Sequence, residues 1–171
     1  MKIITVKDGQ SDIIPEPLCA AIGNFDGVHL GHQKLIEECK RHGYKSAVLT
    51  FYPHPSVFLK KIPDYKLITP MEHKADIFAR MGIEYLIIVE FNTDVAMLSK
   101  KEFISWMKHL NIKSCVCGYD FTFGRKAEGT IEDLKAEFEF YEVKKYIFED
   151  VRVSSTYIRE LLAEGNIEKA N

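Results

Sequence analysis

The sequence predicts an α/β domain: a doubly wound, Rossmann-like parallel sheet flanked by helices. Two observations predict it. Short apolar runs recur along the chain, most of them closed by glycine or proline. Between them lie amphipathic stretches of about ten residues with helix-start and helix-stop residues at their ends. Buried strands alternating with such helices imply parallel pairing through right-handed crossovers. In a sheet of this kind ligands bind beyond the carboxyl ends of the strands. A functional loop should therefore directly follow a strand.

The elements follow in order. Leu18 to Ile22 is an apolar run stopping at Gly23, and reads as a buried strand. Residues 31–41 carry Leu35, Ile36 and Cys39 at helical spacing and stop at Gly43. Residues 46–51 form the next strand, ended by Pro53 and Pro55, because proline cannot donate to a ladder. Thr69-Pro70-Met71-Glu72 reads as a capping box opening a helix to Met81, with Gly82 as its stop. Residues 85–89 are a strand. Ser99 with Glu102 caps another helix, with Phe103, Trp106, Met107 and Leu110 on one stripe. Residues 114–117 are a strand and 118–129 a glycine-punctuated loop. Residues 130–140 read as a helix, 143–148 as a strand, and 155–163 as a serine-capped helix stopped by Gly165. Residues 1–165 make one domain, and 166–171 the start of a linker or tail.

Length and composition fit that reading. The chain has 171 residues, 46% apolar and 28% charged, as a single globular domain requires. A formal charge of −2 argues against a nucleic-acid footprint, which needs a basic face. No apolar run is long enough to suggest a membrane span, and charge interrupts the N-terminal run early. The expected compartment is the cytoplasm. Cys19, Cys39, Cys115 and Cys117 form no C-x-x-C pair, and read as small buried thiols, with 115 and 117 on one face of a strand.

Four segments carry candidate chemistry. The first is Gly23-Asn24-Phe25-Asp26-Gly27-Val28-His29-Leu30-Gly31-His32, directly after the first buried strand. Its glycines let backbone approach a phosphate and leave amides free to point at it. Gly31 and His32 fall at a helix start, where unpaired amides and the dipole favour an anion. His29 and His32, three apart, can aim their rings the same way and donate hydrogen bonds to phosphate oxygens. A glycine-rich turn with two surface histidines explains the same residues. A histidine pair could also bind a metal, but no third ligand is evident nearby.

The second segment is Arg152-Val153-Ser154-Ser155-Thr156-Tyr157-Ile158-Arg159. Its hydroxyls cap a helix; with Arg152 and Arg159 they could also surround an anion, since arginine grips phosphate in bidentate fashion. The third, Gly118-Tyr119-Asp120-Phe121-Thr122-Phe123-Gly124-Arg125, again follows a strand. It is either a packed turn or a platform for a ring system. The fourth, Phe51-Tyr52-Pro53-His54-Pro55, ends a strand rigidly, and His54 alone is a poor candidate catalyst.

Together these segments resemble the nucleotidyltransferase superfamily, marked by His-x-Gly-His after the first strand. Within it, the chain is similar to the FMN adenylyltransferase module of the bifunctional riboflavin kinase/FMN adenylyltransferase family. The family's Gly-Asn-Phe-Asp-Gly-Val-His-x-Gly-His falls on 23–32, its Thr-Phe-x-Pro-His-Pro on 50–55, and its Leu-Thr-x-x-x-x-Lys approximately on Ile68, Thr69 and Lys74. Its Val-x-Gly-x-Asp-Phe-x-Phe-Gly falls on 116–124, and its Ser-Ser-Thr-x-Ile-Arg on 154–159. Tyr52 stands where the family is often acidic, and Thr122 where it commonly has arginine. Family members usually continue into a riboflavin kinase β-barrel; here the chain ends after what resembles the start of a joining segment.

The resemblance implies adenylyl transfer from ATP to FMN, giving FAD and pyrophosphate. It implies His29, His32 and Arg159 as catalytic residues. Gly23, Asn24, Phe25, Gly27, Gly118, Asp120, Arg152, Ser155 and Thr156 would join them around ATP. Pro53, His54, Pro55 and Phe123 would border the flavin. Magnesium is expected with the triphosphate, and the expected partners are the small-molecule substrates ATP and FMN, with no nucleic acid and no membrane; the sequence leaves the oligomeric state open. Another small-molecule adenylyl- or cytidylyltransferase, or a non-catalytic flavin- or nucleotide-binding module, fits the same motifs.

Overall fold

The computed structural model describes residues 1–7, 13–59 and 65–170. The strands are β1 (Lys2–Val6), β2 (Leu18–Ile22), β3 (Lys45–Tyr52), β4 (Tyr85–Glu90), β5 (Ile112–Gly118) and β8 (Glu139–Val143), with short pieces β6 (Thr122–Phe123), β7 (Gly129–Thr130), β9 (Ile147–Phe148) and β10 (Val151–Arg152). The main helices are α1 (Leu30–Cys39), α3 (Met71–Arg80), α5 (Lys100–His109) and α7 (Ser155–Ala163). Shorter ones are α2 (Pro55–Phe58), α4 (Thr93–Met97), α6 (Ile131–Lys135) and α8 (Ile167–Ala170).

Among the described residues the main sheet has six strands in the order β1-β4-β3-β2-β5-β8. Every pair in it is parallel. From β2 the order runs outward through β3 to β4, then returns to the other side of β2 for β5 and β8. The reversal lies between β2 and β5, and this switch point is where a doubly wound sheet opens a crevice.

Strand alternation builds two cores, one on each face. Leu18, Ala20 and Ile22 of β2 share a cluster with Phe103, Trp106, Met107 and Leu110 of α5. Cys19 and Ala21 share the other with Leu35, Ile36 and Cys39 of α1 and Phe78 of α3. All five residues of β2 are buried, so the run reads as continuously apolar, as a central parallel strand must. The four cysteines are buried free thiols, and Cys115 and Cys117 lie in the same cluster. The predicted capping box of α5 forms: Ser99 Oγ accepts from Glu102 N, and Glu102 accepts from Ser99 N at 2.8 Å.

Four expectations are corrected. The helix expected over 130–140 is only α6; the chain leaves it after Lys135 and runs on as β8 at the sheet edge. Leu134 and Phe138 keep helical spacing because both still reach the core. The strand expected over 143–148 is replaced by β8, and β9 pairs antiparallel with β10. The loop 118–129 contains the pair β6–β7. Thr69 does not cap α3, whose N-cap is Pro70 with no side-chain cap bond. The Thr69 amide instead donates to the Asp26 carboxylate at 3.1 Å, which fixes that stretch in a non-capping conformation.

Candidate active site

The carboxyl ends of β2 and β5 carry the first and third motif segments, so both open onto the switch point. The loop leaving β2 bends sharply: Phe25 (φ 51°), Gly27 (φ 88°) and Val28 (φ 39°) all have positive φ. Two of these are not glycine, and the left-handed region costs a bulky residue on the order of 1 kcal/mol or more. Packing offsets that cost. Phe25 is fully buried, edge-on to Phe78 with ring centroids 5.6 Å apart, and Val28 is nearly so. Expected to line the nucleotide site, Phe25 is the plug that holds the loop down.

Tethers complete the hold. The Asn24 carbonyl accepts from Thr50 Oγ1 at 3.2 Å and from Lys74 Nζ at 3.1 Å. The Asp26 carbonyl accepts from Ser155 Oγ at 2.7 Å. That bond ties the N-terminus of α7 to the loop that feeds α1. Neither helix has an acidic residue in its first turn, so both positive ends stay available to an anion.

His29 and His32 come together as the spacing predicts. Their rings stack with centroids 3.6 Å apart, inclined by 15°. His29 is the N-cap of α1, its Nδ1 accepting from His32 N at 3.3 Å. Burial pulls its pKa down to about 4, and Arg152 nearby adds to the effect. The His32 pKa is well below its ordinary value, again through burial, helped by His29 and Lys74. Both rings are therefore neutral at neutral pH. A neutral His29 that accepts at Nδ1 carries its proton on Nε2, and presents a hydrogen-bond donor. The glycine between them leaves room for the His29 ring: a Cβ on Gly31 would lie 3.2 Å from Cε1 and Nδ1 of His29, so the ring would have to give way by a few tenths of an ångström.

Beneath the loop lies a residue that sequence reasoning missed. Asp26 is buried, 1% exposed. Its Oδ1 accepts from the amides of Ile68 (2.9 Å) and Thr69 (3.1 Å). Its Oδ2 takes Arg159 Nη2 and, at 3.5 Å, the Tyr65 hydroxyl. Arg159 also donates to Tyr65 Oη and to the Lys66 carbonyl, and lies 4.2 Å from the Tyr65 ring centroid. Arg159, expected free to grip phosphate, is thus paired with Asp26. An acid in a glycine-rich loop expected to hold an anion was the available signal, because it has to be neutralised from elsewhere.

His54 joins the same network. It is buried, accepts at Nδ1 from Ser56 N (3.1 Å), and meets Tyr65 Oη through Nε2 at 3.2 Å, its ring stacked on Tyr65. Burial lowers its pKa to about 4. With both nitrogens engaged it is a pillar under the Pro53–Pro55 turn, whose Tyr52–Pro53 peptide is cis. Pro53 and Pro55 themselves are partly exposed. Around them Tyr52, Val57, Phe58 and Leu59 are exposed.

The remaining predicted residues divide. Arg152 and Asp120 pair with each other at 2.6 Å, both about half exposed, with Arg152 over the Tyr119 ring. Gly23, Gly118 and Thr156 lie at the ends of β2 and β5 and at the start of α7. Phe123 does not face the crevice. It is buried against Phe103, 5.1 Å between centroids, and a Cβ on Gly129 would be only 2.7 Å from its ring. No cluster of three or more His, Cys, Asp or Glu able to hold a metal occurs among the described residues. No helix among them is long and apolar enough to cross a membrane.

Comparison with known proteins gives a consistent picture. Bifunctional riboflavin kinase/FMN adenylyltransferases from Bacillus subtilis and Listeria monocytogenes are 42% and 40% identical over 88% of this chain. That from Escherichia coli is 31% identical over 99% of it. The chain spans about half the length of the first two, 51% of each. A crystal structure described as a macrolide-efflux protein from Streptococcus pneumoniae matches with TM-score 0.84 and 30% identity, over 99% of this chain and 60% of that one. Pantoate-beta-alanine ligase from Francisella tularensis matches with TM-score 0.60 and 12% identity over 98% and 76%, which shows a shared fold alone. Residues 12–157 match the FAD synthetase family, and the chain belongs to it.

Proposed function

We propose that this chain transfers the adenylyl group of ATP to FMN, forming FAD and releasing pyrophosphate. The observation that carries the proposal is the stacked, neutral His29–His32 pair at the N-terminus of α1. Family membership supplies the substrates. The FMN phosphate attacks the α-phosphorus, and the bond from that phosphorus to the bridging oxygen of pyrophosphate breaks. The attacking oxygen is already an anion, so no protein nucleophile or general base is required. Catalysis then consists of alignment and charge stabilisation.

In this reading His29 Nε2–H and the His32 ring donate to phosphate oxygens as charge builds. Neutral imidazoles suit that role, because they stay donors across the physiological range without titrating. The α1 and α7 N-termini, with Thr156 and Arg152, receive the departing pyrophosphate; Arg152 exchanges Asp120 for phosphate. Arg159 and Ser155 act by holding Asp26 and the loop, and Arg159 reaches phosphate only if it leaves Asp26. Gly23, Asn24, Gly27, Gly118 and Asp120 border ATP. The flavin lies at the end of β3, against Pro53, Pro55 and the exposed Tyr52 and Phe58; the exposed apolar surface there supports a flat, apolar ring. Magnesium would accompany ATP, held largely by its phosphates and water, and would offset charge on the triphosphate. No step is assigned to it. The module ends near Gly165, with 166–171 beginning a connection.

The test is a panel of acceptors. FMN, nicotinamide mononucleotide and phosphopantetheine are each incubated with ATP and magnesium, and products are separated by chromatography. Product from FMN alone supports the proposal. Product from another acceptor and none from FMN would replace it with a sister transferase. Binding of FMN and ATP without product would leave a non-catalytic module.

A further inference from the structure

Lys74 is the one buried lysine or arginine among the described residues, 3% exposed on α3. Its family-pattern position says nothing of why a cation is there. The ammonium donates to the Asn24 carbonyl, and no carboxylate among the described residues forms a salt bridge with it. The buried acid of the region, Asp26, is already matched by Arg159, Tyr65 and two amides. Three nearby imidazoles, His29, His32 and His54, have pKa values lowered below the ordinary one and add no charge at neutral pH. Arg159 and Lys74 thus share the single negative charge of Asp26, which leaves an excess of positive charge under the loop. Burying a cation is costly, and burial lowers the Lys74 pKa, with the charge of Asp26 opposing that shift. Two further polar atoms beside it, Asn24 Oδ1 and His32 Nδ1, are buried without a partner among the described residues. A neutral side chain of similar length would avoid the cost of burying that charge.

We propose that Lys74 is a positioning residue for the triphosphate: its ammonium, fixed against the Asn24 carbonyl, is a buried positive charge whose counter-charge is the bound polyphosphate. It does not touch the nucleotide. It acts through its field on the His29–His32 pair and the loop above it, and the bond to the Asn24 carbonyl fixes where that charge sits. This inference rests on the nucleotide-site reading above, and its test separates the two.

Lys74→Met keeps the length and removes the charge. Binding of ATP, inorganic tripolyphosphate and adenosine is measured by calorimetry for the wild type and for Lys74→Met, with Lys74→Gln as a second variant should methionine disturb folding. The expected result is a loss of about tenfold or more for ATP and tripolyphosphate, little change for adenosine, and an undiminished melting temperature. A purely structural tether would instead lower the melting temperature and weaken adenosine in proportion. That pattern, or ATP and tripolyphosphate affinities within about twofold of wild type, overturns the proposal. In a protein unable to fold with either neutral residue, the wild-type Lys74 Nζ resonance decides: a shift on adding tripolyphosphate supports the role, and none overturns it. Failure of the wild type to bind ATP or tripolyphosphate at all would refute the nucleotide site itself.

Discussion

Asp26→Asn tests the network under the loop that leaves β2. Asparagine keeps the oxygen that serves the Ile68 and Thr69 amides, but presents an NH2 group to the Arg159 guanidinium and removes its counter-charge. A hydrogen bond from a charged donor is worth about 1.5–3 kcal/mol, and removing one partner of a buried pair costs about 3–5 kcal/mol. Arg159 keeps 24% of its side chain exposed, so water recovers part of the loss and a cost of about 3 kcal/mol is expected. At about 2–4 °C per kcal/mol for a chain of this size, the melting temperature should fall by about 6–12 °C. The assay is thermal denaturation followed by circular dichroism, with Arg159→Leu and the double variant completing a cycle. Arg159→Leu in the Asp26→Asn background should cost little, giving a coupling of about 1.5 kcal/mol or more. A fall of less than about 2 °C, or additive effects, would refute the idea that this pair pins the loop to α7.

His29→Ala should lower FAD turnover by about 10²–10³-fold, as loss of one donor to developing charge does, while the lost N-cap costs only about 1 kcal/mol; steady-state kinetics and a melt separate the two. Gly31→Ala should displace the His29 ring and lower turnover more than it lowers the melting temperature, and unchanged turnover would show that this contact does not position the ring. Arg152→Ala breaks an exposed pair, so stability should change by no more than about 1 kcal/mol, with ATP affinity falling in calorimetry. Burial holds the folded-state pKa values of His29 and His54 near 4, below the ordinary value of 6.5. The unfolded chain therefore binds more protons between those values, so this stability is complete above about pH 6.5 and is lost as pH falls toward about 4. Urea midpoints at about pH 7 and about pH 5 should differ in that direction, and a His29→Gln/His54→Gln double variant should flatten the difference.

Much of the fold was legible because its signals are local. The run Leu18–Ile22, the Ser99–Glu102 box and the Gly82 and Gly165 stops each lie within a few residues of the structure they specify. The misread stretch is 130–148. There β8 is an edge strand paired with β5 alone, its exposed Glu139 and Glu142 break the apolar run, and the Leu134–Phe138 spacing imitates a helix. β1 is also an edge strand, and its lysine-flanked run Lys2–Val6 carried no turn signal to mark it. At the site the histidine pair was legible from a three-residue spacing. Asp26 was not, because its partners Tyr65 and Arg159 lie 39 and 133 residues away. A similar distance hid the fact that Arg159 and Ser155 are engaged by the loop.

Adenylyl transfer differs from phosphoryl transfer in which phosphorus is attacked, and a label reads that directly. The protein is incubated with FMN and ATP carrying radiolabel at either the α- or the γ-phosphate, and flavin and phosphate products are separated. Adenylyl transfer places α-label in FAD and γ-label in pyrophosphate, in equal amounts. Gamma-label in a flavin product, or no transfer of α-label to FMN while the protein is folded, would contradict it.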